Sequence, residues 1–271
     1  MADVQKYSLA TSLGCDWLKL PLAVMRDVGP ATQTFAGFEK ITHTETFIRV
    51  SEIAKTARVP LKTARNHLDM LEQHGWLLSK GRGHTKRGSP RRTNTIAMTA
   101  KAKALFPKRN AEKAPETDNQ SKPDVIDSHY GFLPWWACTR RGKRQWLSWS
   151  SKAVLSIVMG RLAALKAASR DVQGKTGEEW LAERLEDRFR FSLVDLEEDT
   201  GLSRASVIDA KGELHAAKII NWSGGGTDSD CLAPNPAFRV VVTPAGGGMS
   251  YVNFEVMSDA KLAMAEMEAF F

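Results

Sequence analysis

Two stretches of this chain repeat one another without a gap, and that duplication constrains the fold more than any other feature. Val50–Val59 (VSEIAKTARV) lies over Leu193–Leu202 (LVDLEEDTGL). The register continues, so that Thr63 meets Ser206, Ala64 meets Val207, Leu71 meets Leu214 and Leu77 meets Ile220. A weaker echo precedes it, where Leu18–Pro21 (LKLP) resembles Gly131–Pro134 (GFLP). Copies this far apart fit a duplicated domain, since solenoid repeats recur every ~20–50 residues.

A polar stretch separates the copies. Pro107–Ser128 (PKRNAEKAPETDNQSKPDVIDS) is almost devoid of apolar residues. Such a segment cannot bury enough surface to offset the entropy of ordering it. The expected organisation is a first domain over residues 1–106, a flexible linker over 107–128, a second domain over 129–257 and a C-terminal amphipathic helix over 258–271.

Within the first domain the pattern predicts helices over Cys15–Asp27 and Ala31–Ile41, with Gly29-Pro30 breaking between them. Thr46–Val50 reads as a small strand and Ser51–Arg58 as a short helix. Val59-Pro60 makes a turn into a longer helix, Leu61–His74, which Gly75 caps. Trp76–Leu78 and Thr93–Met98 read as strands flanking a polar hairpin loop, Gly81–Arg92. In the second domain, Ser150–Ala168 and Glu178–Phe189 read as helices. A short and a long helix follow over Ser192–Asp199 and Arg204–Ala217, then a strand over Ile219–Trp222. Phe238–Thr243 and Tyr251–Val256 alternate as a hairpin does.

The charge is unevenly spread. The net is +7, but residues 1–110 hold 19 Lys and Arg against 8 Asp and Glu, a net of +11. The remainder holds 19 against 23, a net of −4. A strongly basic half points to a polyanionic partner. Other chemistries find no support. Cys15, Cys138 and Cys231 are isolated and odd in number, which suggests neither disulfides nor a zinc site. Gly174-Lys175-Thr176 ends like a phosphate-binding loop, but Ser169 stands where that pattern needs glycine. The histidines lack ligand spacing, and no nucleophile motif occurs. The expectation is a protein that is not an enzyme and takes no cofactor or metal. With no secretory signal and no apolar run near the ~18 residues of a membrane span, it is expected in the cytoplasm, associated with the nucleoid and not with a membrane.

The pattern Val50-x-x-Ile53-Ala54, Val59, Thr63-Ala64, Leu68, Leu71, Gly75-Trp76-Leu77 resembles the winged helix-turn-helix superfamily over residues 46–98. Small Ala54 lets two helices cross closely, Val59 plugs the turn, and Ala64 and Leu68 pack the second helix underneath. The resemblance implies a mainly α fold with small β-wings, here as two winged-helix domains in tandem joined by a flexible linker. It also implies that the second helix enters the major groove by its N-terminal residues, which here are Leu61, Lys62, Thr63, Arg65 and Asn66. Arg suits guanine and Asn suits adenine, each by paired hydrogen bonds. His67 falls on the apolar side and is expected in the core or at its edge. The wing supplies charge. Lys80 to Arg109 contains ten basic residues and no acidic one, and Lys80, Arg82, Lys86, Arg87, Arg91 and Arg92 are the expected contacts.

The second copy is a weaker reader. Asp228 and Asp230 lie in its wing, and Glu197, Glu198 and Asp199 crowd its short helix. Yet Arg140 to Arg170 holds eight basic residues and no acidic one, among Trp135, Trp136, Trp146 and Trp149. Arg140, Arg141, Lys143, Arg144 and Arg204 are therefore a candidate second DNA surface; the tryptophans are expected in the core rather than stacked on bases. The tandem layout is similar to that of plasmid and phage replication initiators and regulators. The leading expectation is sequence-specific double-stranded DNA binding in transcriptional regulation of a mobile element. Replication initiation at origin repeats, or DNA bridging and partition, stand as alternatives. The second domain could make a homodimer or recruit a protein partner.

Overall fold

The computed structural model describes residues 5–8, 16–41, 46–80, 94–105, 129–141, 144–169, 189–223, 229–246 and 249–258. It is mainly α-helical with small antiparallel sheets. The chain divides into two units: a middle unit, Leu20–His129, and a discontinuous unit made of Met1–Lys19 and Tyr130–Phe271. The elements in chain order begin with β1 (Gln5–Ser8) and β2 (Trp17–Pro21).

The middle unit continues with α1 (Leu22–Val28), α2 (Ala31–Ile41), β3 (Thr46–Ile48), α3 (Val50–Thr56) and α4 (Leu61–Gln73). It ends with β4 (Leu77–Lys80), β5 (Asn94–Met98) and α5 (Ala100–Lys103). Its sheet has the order β3-β5-β4, so the last strand lies between the other two. The core gathers Phe35 and Phe38 from α2, Ile53 from α3, Leu71 from α4, and Trp76, Leu77 and Ile96 around the sheet. Full burial of each such side chain contributes about 1.5–3 kcal/mol. Beside it, Ala54, Ala57, Val59 and Ala64 form a second buried cluster where α3 and α4 meet.

Helix α2 approaches α3 so closely that there is no room for a Cβ at position 37. One built on Gly37 would lie 2.6–2.8 Å from Cβ, N and Cα of Ala57. Backbone cannot yield as a flexible side chain can. Gly37→Ala should therefore destabilise the middle unit by about 1–3 kcal/mol, and the amides of α4 should exchange with solvent faster. Unchanged exchange would mean that the α3–α4 turn shifts freely.

The discontinuous unit contains β6 (Tyr130–Pro134), a 3-10 turn at Trp135–Cys138, β7 (Arg140–Arg141), β8 (Arg144–Gln145) and α6 (Trp149–Ser169). Then come β9 (Arg190–Ser192), α7 (Leu193–Thr200), α8 (Arg204–Ala216), β10 (Ile220–Ser223), β11 (Ser229–Pro234), β12 (Phe238–Gly246) and β13 (Met249–Val256). Its first sheet has the order β10-β11-β9, again with the last strand in the middle. A second sheet has the order β1-β12-β13, and Trp136, Trp146, Phe238 and Phe254 pack against each other, with Trp146 stacked on Phe254 at 3.9 Å. Strand β6 lies against α6, where Gly131 leaves room for Ser156.

The duplication is carried into the structure residue for residue. The helices α3 and α7, the helices α4 and α8, and the strands β4 and β10 all start 143 residues apart, at Val50 and Leu193, Leu61 and Arg204, Leu77 and Ile220. Ser192 and Ser203 cap α7 and α8 by accepting from Asp195 N–H and Ser206 N–H. Even the left-handed backbone positions correspond. Arg58 (φ 56°) matches Gly201 (φ 69°), and Gly75 (φ 70°) matches Lys218 (φ 59°). After α3, Arg58 N–H donates to Lys55 O and Val59 N–H to Ala54 O, at 3.2 and 3.0 Å. The same pair of bonds closes α4 at Gly75 and Trp76, and α8 at Lys218 and Ile219. This helix ending requires the left-handed conformation, which costs a residue with a Cβ about 1–2 kcal/mol.

Several expectations are corrected. The expected helix over Cys15–Asp27 is strand β2 followed by the shorter α1, because Pro21 sits at the helix start and Leu18 and Leu20 alternate inward. The N-terminal segment, expected in a first domain over residues 1–106, joins the discontinuous unit, because Gln5–Ser8 pairs with β12 in the register Gln5↔Val242 to Ser8↔Arg239. The expected helix over Ser150–Ala168 is α6, and all ten of its residues from Ser151 to Gly160 are buried. Strand β11 and helix α5 went unexpected. The expected linker over 107–128, the helix over Glu178–Phe189 except Phe189 itself, and the C-terminal helix beyond Ser258 lie outside the described residues.

Candidate nucleic-acid interface

Helix α4 turns one face into the core and the other outward. Ala64 and Leu71 are fully buried, while Lys62, Arg65, Asn66, Asp69 and Gln73 are exposed. At 100° per residue these five fall on one side of the helix. Thr63, expected among the contacts, is half-buried at the edge of that face. The face is fixed by bonds on the opposite side. Thr34 on α2 is 2.7 Å from His67 Nδ1, and Gln33 Nε2 donates to Ala57 O at 2.6 Å. Burial pushes the His67 imidazole below its ordinary pKa, so it is neutral at pH 7. His67 is thus an edge residue that positions the helix.

The C-terminal end of α4 is anchored through Asp27. That carboxylate accepts from Trp76 Nε1 at 2.6 Å and from Lys101 Nζ at 3.1 Å, and lies 3.0 Å from His74 Nδ1. Burial acts to raise the Asp27 pKa, but the hydrogen bonds from Lys101, His74 and Trp76 outweigh it and hold the carboxyl below the usual range. Lys101 also stands 3.8 Å over the Trp76 ring. Thr99 caps α5 by accepting from Ala102 N–H, and donates to Gly75 O at 2.8 Å. Strands and helices thus hold α4 at both ends, which suits a rigid reading element.

The remaining expected contacts divide. Lys80 ends β4, and its side chain lies outside the described residues. Arg82, Lys86, Arg87, Arg91 and Arg92 fall between β4 and β5 and also lie outside them. Asp69 was missed. It stands on the exposed face one turn after Arg65, a spacing legible in the sequence. An acidic side chain at such a face accepts from cytosine N4 and opposes phosphates.

The corresponding face of α8 has other chemistry. Arg204 is exposed as expected, but beside it stand Ala205, Ile208 and Asp209, with Ile208 43% exposed. Lys211 is 2% exposed, paired with Asp230 and 4.9 Å from the Trp222 ring. In the basic run after Arg140, Lys152 is buried within α6, and burial lowers its pKa. Arg161 donates to Arg190 O at 2.8 Å and lies over Phe191. Arg140, Arg141 and Arg144 lie in the short strands β7 and β8, with side chains outside the described residues, as is Lys143 altogether. Trp136 is core. The expected second surface therefore loses Lys152 and Arg161 from its neighbourhood.

No group of His, Cys, Asp and Glu among the described residues is arranged to hold a metal, and none of their helices is long and apolar enough to cross a membrane. Comparison with known protein families, curated proteins and solved structures finds no match.

Proposed function

We propose that this chain is a double-stranded DNA-binding protein built on two winged helix-turn-helix units in tandem. In particular, we read it as a sequence-specific transcriptional regulator of a mobile element, with the middle unit as the reader.

One observation carries the reading. A rigidly held helix, α4, exposes Lys62, Arg65 and Asn66 together on its N-terminal half, while its other face is locked into the core. These are side chains that pair with base edges and phosphates. The order of strands and helices supports it, since strand–helix–helix–strand–strand with the last strand central occurs in both units. The basic run from Lys80 to Arg109 supplies the matching charge. Among the described residues α8 exposes Arg204 beside Ala205, Ile208 and Asp209, so in this reading the middle unit reads and the discontinuous unit serves assembly or partner binding.

The test begins with duplexes retained by the full chain from its source genome. Arg65→Ala should lose about 5- to 150-fold affinity for a retained site, or ~1–3 kcal/mol, and little for random duplex. Equal losses on both would demote Arg65 to a phosphate contact, and a wild-type chain that retains no duplex would sink the reading. Inverted repeats over a promoter support regulation. Direct repeats beside a replication origin would assign initiation instead.

A further inference from the structure

Along the repeat, the exposed face of α4 has a counterpart on α8 with different chemistry. Lys62, Arg65, Asn66 and Asp69 correspond to Ala205, Ile208, Asp209 and Gly212. Spacings of three and four residues place these four on one side of α8. Ala205, Ile208 and Asp209 are exposed, Ile208 by 43%. Gly212 stands out, because glycine inside a helix weakens it relative to alanine. A Cβ built there meets nothing within 4 Å. Among the described residues, no neighbour therefore requires the glycine. What it offers is close approach to a backbone from outside.

Charge decides what fits this face. Arg204 and Asp209 flank Ala205 and Ile208, five positions apart. Both are exposed, and among the described residues neither forms an ion pair. DNA is a poor occupant, because an isoleucine and a carboxylate stand where α4 carries Arg65 and Asn66. A second copy of the chain fits. Consider two parallel helices side by side, related by a two-fold axis along their length. The residue just before the apolar seam of one lies beside the residue five positions further on in the other. Arg204 of each copy then meets the partner's Asp209. One face carries both halves of its own complement, as a two-fold interface requires.

We propose that α8 is a homodimer interface, in which two copies of this chain pack these faces together in parallel. Ile208 meets its counterpart across the axis, Ala205 and Gly212 let the backbones approach, and Arg204 of each copy pairs with the partner's Asp209. The proposal rests on the reading above in which the discontinuous unit serves assembly, and it names the partner and the surface.

The experiment follows the full chain by sedimentation over a concentration series without DNA, with the thermal midpoint alongside. The wild-type chain should pass from monomer to dimer as concentration rises. Ile208→Arg, which places there the residue type of position 65, should weaken the dimer about 30-fold and leave the midpoint unchanged. Arg204→Asp and Asp209→Arg should each weaken it about ten-fold, because like charges then face each other. Mixing those two variants should restore association, since the mixed pair sets unlike charges together at both places. A folding defect in either variant would not be repaired by mixing. Gly212→Ala should raise the midpoint yet weaken the dimer, so stability and association move in opposite directions. A wild-type chain that stays monomeric throughout would overturn the proposal and leave the face to a different protein. Ile208→Arg dimerising like wild type would overturn it too, and so would a mixture no stronger than its parts. Because DNA is absent from the measurement, a dimer that retains no duplex keeps this interface and removes only the DNA-binding reading.

Discussion

Asp230→Ala should destabilise the discontinuous unit by about 3–5 kcal/mol, the cost of breaking a buried ion pair from one side. Lys211 on α8 is 2% exposed, and its ammonium pairs with the Asp230 carboxylate on β11. Among the described residues, without that carboxylate the ammonium keeps the Trp222 face, 4.9 Å away. A buried cation so poorly compensated must draw in water or unfold its surroundings. The duplication supplies the complementary variant. Lys211 matches Leu68 along the repeat, and the strand registers Phe191↔Asp230 and Ile48↔Asn94 match Asp230 with Asn94. Lys211→Leu with Asp230→Asn puts the residue types of the matching positions there, leaves no unpaired buried charge and should recover most of that loss. Urea unfolding followed by tryptophan fluorescence reads this unit, because seven of the eight tryptophans lie in it and only Trp76 in the other. A loss below ~1 kcal/mol in Asp230→Ala would show that water already reaches the pair.

The repeat was legible because its apolar positions recur in step through two helices and a strand, and each must face a core. What escaped was set by distant partners. Residues 5–8 (QKYS) carry no strand signal, and they become a strand because β12, more than 200 residues later, offers an edge. Trp17–Pro21 fits a helix by its count of apolar residues, and Pro21 alone marks the break. In α6 the buried Ser151, Lys152 and Ser156 look like a polar face. Their polar atoms are satisfied inside the unit: Ser151 donates to Glu213, and Ser156 Oγ donates to Ala153 O at 2.7 Å. Lys152, one of the eight basic residues between Arg140 and Arg170, is therefore a buried residue of α6, which its charge alone does not reveal. On α4 the exposure of Lys62, Arg65 and Asn66 follows from their place in the motif, whereas the backbone at Arg58 gives no local sign. Only its alignment with Gly201 marks the left-handed backbone.

The wing should separate affinity from sequence preference. Replacing Lys86, Arg87, Arg91 and Arg92 together by Ala should weaken binding to all duplexes alike, by about a thousand-fold at ~0.15 M salt if each contacts one phosphate. The physical cause is counterion release. Each neutralised phosphate frees condensed cations, so the logarithm of affinity falls with the logarithm of salt at about −0.9 per contact, and four lost contacts flatten the slope by up to ~4 units. These residues belong to a span from Lys80 to Arg109 in which no carboxylate competes for them. Strands β4 and β5, paired from Leu77↔Met98 to Lys80↔Thr95, bring both ends of the segment together on the sheet. Stability should change by less than ~0.5 kcal/mol, as for polar substitutions away from a core. Arg65→Ala should show the reverse profile, with preference lost at one base step and little change of slope. If the quadruple variant keeps both affinity and slope, these side chains meet only solvent. The contact would then pass to Arg140, Arg141, Lys143 and Arg144, since Lys152 and Arg161 are engaged within the discontinuous unit. The middle unit would lose its standing as the reader, and Ala substitutions at those four positions should then carry the salt dependence instead.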